Sequence, residues 1–262
     1  MPYWKDKVAL VTGGSSGLGL AIARAAAGQG AKVVIAARDA ERLRDAAGQI
    51  AARGIAADVT RQEDVARLIQ TVVAEHGRLD LLVNCAGRSS RGLVAETTAE
   101  QFRELLELNF LATVRTTQAA LPHLLRSRGH VVQIGSLAAK SAGPHLGAYP
   151  ASKFALAAYA QQLRLELGPQ GLHVLLVCPG PLRRDDAGSR YDAAAAKLPE
   201  SARKPGGGVK LKGIDPDWLA ARILAACERR QPELVVPARA RLLFAICQLW
   251  PSWGDWIIRK MT

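Results

Sequence analysis

Apolar positions along this chain follow two alternating rhythms. Short, nearly continuous runs rich in Val, Leu and Ile fall at residues 7–12, 32–37, 54–59, 79–84, 130–135, 172–178 and 233–236. Runs of that length, ended by glycine or polar residues, read as strands buried on both faces. Between them lie stretches with apolar residues three and four apart, which is helical spacing. These are residues 17–30, 39–53, 62–76, 149–167 and 215–228, with 98–126 long enough for one or two helices around Pro122. Asp39 and Asp215 sit where N-caps belong, and Pro216 takes a first helical position. Seven β-type runs alternating with helices predict an α/β fold, a doubly wound Rossmann-type parallel sheet of about seven strands with helices on both faces.

The pattern breaks twice. Residues 181–213 carry Arg183, Arg184, Asp185 and Asp186 and then a glycine-rich stretch, with no clear rhythm. A connection this long inside a compact domain reads as a substrate lid or as disorder. The second break is the tail, 239–262, which holds Trp250, Trp253 and Trp256 within an apolar stretch (242–258) flanked by Arg239, Arg241, Arg259 and Lys260. Pro251, Gly254 and Asp255 interrupt it, so it is too short to span a bilayer. It fits a cap over a pocket or a subunit contact, and equally a helix lying in a membrane interface. The expected organisation is one dinucleotide-binding domain over 1–238, with 181–213 its lid, and an apolar tail over 239–262.

Composition narrows the class. With 262 residues and 49% hydrophobic content, the chain can build a core without staples. Its four cysteines, Cys85, Cys178, Cys227 and Cys247, form no CxxC pair and no zinc spacing, and their apolar neighbours favour buried free thiols. No apolar leader precedes the first strand, so a reducing cytoplasm is the expected location, with membrane association left to the tail. A net charge of +12 suits an anionic cofactor, substrate or bilayer surface. The basic residues are scattered, with no nucleic-acid motif, so no nucleic-acid partner is expected, and no metal.

The chemistry concentrates at strand ends. Gly13, Ser15, Ser16, Gly17, Leu18 and Gly19 lie between the first strand and the first helix. Glycines there let the backbone approach a pyrophosphate, which the helix N-terminus attracts. The second strand ends at Ala37-Arg38, with no acid to bind a ribose 2′-hydroxyl. The Arg38 guanidinium suits a 2′-phosphate, so NADP(H) is expected over NAD(H). Tyr149 and Lys153 are four apart and share a face if a helix starts there. A nearby ammonium favours the phenolate and brings a phenol towards neutral pH as an acid/base group. Ser136 follows the fifth strand, Asn84-Cys85-Ala86-Gly87 the fourth. Asn109 interrupts an apolar helical stretch and must find partners for its amide, such as a water or a backbone carbonyl.

Together Thr12–Gly19, Asp58, Asn84–Gly87, Asn109, Ser136, Tyr149, Lys153 and Pro179-Gly180 resemble the short-chain dehydrogenase/reductase family, in its compact single-domain branch. The resemblance covers residues 5–180 and weakly extends to 236. It implies an oxidoreductase moving hydride between a nicotinamide and an alcohol or ketone. By resemblance, Asp58 bonds the adenine amino group with Val59 against the ring, and Asn84, Ala86 and Gly87 serve the adenosine ribose side and the sheet. Ser136 orients substrate, Tyr149 is the acid/base, Lys153 binds the nicotinamide ribose, Asn109 holds a relay water, and Pro179 and Gly180 flank the nicotinamide. A homodimer or homotetramer is implied as well. The family's usual Thr after Pro-Gly is missing, and Arg183 and Arg184 stand nearby for an anionic group. Residues 88–93, 137–146 and 181–213 are expected to choose the substrate, which a membrane-facing tail would make lipid-like. The rival readings are a dinucleotide sensor without turnover and a peripheral membrane scaffold.

Overall fold

A computed structural model describes residues 2–183, 198–203, 206 and 211–261. Seven strands form one parallel sheet: β1 (Val8–Thr12), β2 (Lys32–Ala37), β3 (Arg53–Ala56), β4 (Leu81–Asn84), β5 (His130–Ile134), β6 (His173–Pro179) and β7 (Glu233–Val236). Their spatial order is β3-β2-β1-β4-β5-β6-β7. The order reverses between β1 and β4, and open α/β sheets bind ligands in the crevice at that reversal, beyond the carboxyl ends of the strands.

Helices cover both faces. On one side α1 (Gly17–Gly28), α2 (Ala40–Gln49) and α8 (Pro216–Glu228) pack around Val11, Ile22, Ile35, Val83 and Ile223. On the other, α3 (Gln62–His76), α5 (Ala112–Ser127) and α6 (Tyr149–Leu167) pack around Leu10, Leu68, Leu82, Leu124 and Leu176. Alternate residues of each central strand feed opposite cores, which is why these strands read as unbroken apolar runs. Asp39 and Asp215 cap α2 and α8 through their carboxylates, as the sequence predicts.

Some boundaries differ from the sequence reading. The second helix ends at Gln49, because Ile50 leaves helical geometry and Ala51 takes a left-handed conformation (φ 50°). The third strand is accordingly 53–56, so Asp58 and Val59 lie in the turn after it rather than inside it. The stretch 98–126 is one continuous helical run in three parts: α4 (Ala99–Leu106), a π-helical turn (Glu107–Leu111) and α5, with Pro122 inside. Most of the expected lid lies outside the described residues. Of it, α7 (Glu200–Arg203) is seen, its Ala202 carbonyl accepting a hydrogen bond from Arg91. The tail folds as two packed helices, α9 (Ala240–Leu249) and α10 (Pro251–Met261). No described helix is long and apolar enough to cross a membrane.

At the amino ends of the strands, a chain of hydrogen bonds crosses the sheet. Tyr3 Oη lies 2.7 Å from His130 Nε2, His130 Nδ1 lies 2.9 Å from His173 Nδ1, and His173 Nε2 lies 2.8 Å from the Gln231 carbonyl. The carbonyl can only accept, so His173 carries its proton on Nε2, His130 donates from Nδ1, and Tyr3 donates to His130 Nε2. One tautomer of each ring satisfies the whole chain.

Candidate active site

A cavity of about 670 Å³ opens at the carboxyl ends of the strands. Its floor is the glycine turn, where Gly13 (φ 67°) and Gly19 permit an approach no other residue would. A Cβ on Gly13 would sit 2.9 Å from the Ala86 backbone, and one on Gly19 would sit 2.3 Å from the Gly13 carbonyl oxygen. The turn delivers the N-terminus of α1 to the cavity with no side-chain cap from Ser16 and no acid in its first turn. Uncapped N–H groups lined up this way fit an anionic pyrophosphate. Ser15, Ser16, Gly17 and Leu18 line the same wall.

β4 supplies the next wall through Cys85, Ala86 and Gly87. Thr12 holds this segment in place: its hydroxyl donates to the Val83 carbonyl and accepts from the Cys85 and Ala86 N–H groups. Asn84 is buried and is not part of the cavity wall. Its amide donates to Thr117 Oγ1 (2.9 Å) and Gln133 Oε1 (3.1 Å) and accepts from Thr116 Oγ1 (2.7 Å). Of the two tasks expected of it, sheet stabilisation is the one the geometry supports. Ala86 and Gly87, unlike Asn84, do line the cavity.

The β5 end carries Ser136, which lines the cavity and accepts a hydrogen bond from the Ala138 N–H. Tyr149 opens α6, with Pro150 in its first turn, and Lys153 follows one turn on. Both face the cavity, with Lys153 Nζ 5.9 Å from the centre of the Tyr149 ring. Lys153 is almost fully buried and donates to the Ile134 carbonyl at 2.8 Å. Burial pushes its amine down to about 8, since removing water disfavours the charged form. Cys85 nearby is an inert thiol, pushed up by burial to about 11. All four cysteines are free.

Asn109 sits at the π-helical turn, buried and outside the cavity wall. Its amide brackets Arg88, accepting from the backbone N–H and donating to the carbonyl (2.9 Å each), and donates to Ser152 Oγ at 3.0 Å. Ser152 in turn donates to the Tyr149 carbonyl. Asn109 thus ties the loop after β4 to the first turn of α6. The expected backbone-carbonyl contact is present, and π-helical turns inside helices frequently mark functional sites.

Arg38, Asp58 and Val59 lie outside the cavity wall, beyond the β2 and β3 ends. Arg38 is exposed, Val59 buried against Val65 and Ala112. Partial burial raises the Asp58 carboxyl, but hydrogen bonds from Thr60 and the nearby Arg38 charge outweigh it and hold the group below its ordinary range. Pro179 ends β6, Gly180 bonds to the Val236 carbonyl, and both line the cavity. Arg183 does not wait for an anion: its guanidinium pairs with Asp215, the α8 cap. Arg184 lies outside the described residues.

Three residues make contacts that the sequence reading did not assign. Thr12 and Ser152 act through partners far along the chain. Arg91, buried in the cavity wall, bonds the Ala202 and Ser90 carbonyls and Ser89 Oγ. The tail is the fourth wall, through Leu243, Ile246, Ile257 and Ile258. Its pocket-capping role was one of the alternatives its composition allowed.

A glycine turn at the sheet reversal, feeding a cavity that also holds a Ser, a Tyr and a buried Lys, defines a dinucleotide-dependent oxidoreductase. The family model for short chain dehydrogenases matches residues 7–193. Dehydrogenase/reductase SDR family member 7B of Danio rerio is 31% identical over 264 residues, covering 96% of this chain and 84% of that protein. L-fucose dehydrogenase of Bos taurus is 37% identical over 231 residues, covering 86% and 84%. A crystal structure of a short-chain dehydrogenase from Streptomyces avermitilis superposes with a TM-score of 0.81 at 33% identity, covering 95% and 94%. The chain belongs to the short-chain dehydrogenase/reductase family. It is an oxidoreductase acting on CH–OH or carbonyl groups, of a family that uses nicotinamide cofactors.

Proposed function

We propose that this protein is an NADP(H)-dependent carbonyl reductase or alcohol dehydrogenase in which Tyr149 handles the proton. The observation that carries the reading is the convergence of Ser136, Tyr149 and Lys153 on the cavity floored by the glycine turn. When bound there, the nicotinamide supplies or takes up the hydride. Gly13 and the 15–19 turn would hold the pyrophosphate, Ala86 and Gly87 the adenosine ribose, Asp58 and Val59 the adenine, and Pro179 and Gly180 the nicotinamide face. Arg38 would meet the 2′-phosphate, its exposure leaving the guanidinium available to a bidentate partner.

The Ser136 hydroxyl orients the substrate oxygen. The Tyr149 hydroxyl donates a proton to that oxygen during reduction and takes one back during oxidation. The Lys153 ammonium, buried beside the ring, favours the phenolate and would bind the nicotinamide ribose. Asn109 positions the first turn of α6 through Ser152. The apolar fourth wall selects an apolar ketone or secondary alcohol over a heavily hydroxylated one.

The test is NADPH oxidation over a ketone panel running from aliphatic to sugar-like, repeated with NADH and with Arg38→Asp. Turnover favouring NADPH and apolar ketones, with Arg38→Asp shifting preference towards NADH, supports the reading. Tight NADPH binding with no turnover on any ketone would replace it with a sensing role.

A further inference from the structure

The tail hairpin has two faces. Inward, Phe244 is buried, Gly254 packs on Cys247, and Ile257 and Ile258 reach the cavity. Outward, α9 exposes Leu242, Ala245 and Leu249, spaced three and four apart on one stripe. α10 exposes Trp253 (71%) and Trp256 (57%), and Trp250 between the helices is 59% exposed. Exposed tryptophans this close together are costly in water and mark an interaction surface.

Charge says which surface. Arg239, Arg241, Arg259 and Lys260 all lie on the hairpin or at its edge and are exposed, against a single acid, Asp255. Lys260 Nζ stands 4.0 Å over the Trp256 ring, so the cation and the indole share a face of α10. The chain as a whole carries +12. A second copy of so basic a face would repel its mate. Indoles beside cations, on short helices that cannot span, match the headgroup region of an anionic bilayer.

We infer that the α9–α10 hairpin docks this protein on anionic lipid surfaces, laying Trp250, Trp253 and Trp256 into the headgroup layer. Leu242 both lines the cavity and is 69% exposed, so docking sets the cavity mouth beside the lipid. Apolar carbonyl compounds dissolved in the bilayer then reach the cavity without crossing bulk water. That consequence rests on the proposed hydride-transfer reading, whereas the docking does not.

The experiment is flotation of the full chain with phosphatidylcholine vesicles, with and without phosphatidylglycerol, at low and high salt, beside sedimentation velocity without lipid. Binding to the anionic vesicles that salt weakens is expected. Trp253→Ala with Trp256→Ala should lower it by about tenfold or more, and Arg259→Glu with Lys260→Glu by about fivefold per residue. These side chains are exposed, and circular dichroism is the check that each variant is folded. Failure of the unaltered chain to float with anionic vesicles overturns the inference, as does binding indifferent to lipid charge and salt. Self-association that the tryptophan substitutions abolish, without flotation, assigns the face to a second copy instead. None of these readouts depends on turnover, so loss of the catalytic reading leaves them interpretable.

Discussion

In the proposed mechanism Tyr149 and Lys153 carry the chemistry, and each has its own signature. Tyr149→Phe keeps the ring and removes the proton, so turnover should fall by about 10²–10⁴-fold. NADPH affinity, read by fluorescence titration, should stay nearly unchanged. Lys153 is held near 8 by burial, so the free protein carries the ammonium below that pH and loses it above. NADPH affinity should therefore weaken as pH rises through about 8, and Lys153→Met should bind weakly with that step gone. This pair was legible because positions four apart on a helix must meet, whatever the rest of the fold does. The side-chain partners of Thr12, Asn84 and Ser152 were harder to read. These partners lie up to 74 residues away along the chain, and only the packed sheet brings them together.

The π-helical turn between α4 and α5 is an element-scale device. It places the Asn109 amide against both backbone groups of Arg88. Asn109→Leu would strand those groups and should cost about 2–4 kcal/mol of stability, seen as a lower urea midpoint, with kcat lowered as the start of α6 loosens. The glycine turn is equally unforgiving. A methyl at Gly19 would lie 2.3 Å from the Gly13 carbonyl oxygen, so Gly19→Ala should abolish NADPH binding in calorimetry. Helices and strands emerged readily from the hydrophobic rhythm because the sheet is buried on both faces. The end of α2 did not, since a left-handed Ala51 leaves no composition cue. The π-helical turn is equally silent, because its residues keep helical spacing. For the tail, composition fixed an apolar contact and could not say that one face would meet the cavity and the other solvent.

At the scale of the whole molecule, acid stability follows from the His130–His173 pair. Burial pushes His130 down to about 3, with the His173 charge adding to it, and pushes His173 down to about 4 against its bond to Gln231. Unfolded, each titrates near 6.5. Between those values the unfolded chain binds protons that the folded chain refuses. Stability is thus whole above pH 6.5 and should decline by up to about 1.4 kcal/mol per pH unit for each ring as pH falls towards 4. Urea unfolding across that range would measure it, and His173→Gln should flatten the slope. Nothing in the periodicity announces this pair, because each histidine begins a strand that the eye reads as apolar.

The same row of hydrogen bonds has a bearing on how the protein is made. Tyr3 is synthesised well before the Gln231 carbonyl, which follows on the order of ten seconds later. From the time they are made until that carbonyl arrives, the two histidines have one end of their proton order undefined. Only when the seventh strand docks does the acceptor at Gln231 select a tautomer for His173, and through it for His130. The hydrogen-bond row that starts at Tyr3 is therefore completed only once the strand after Gln231 is in place.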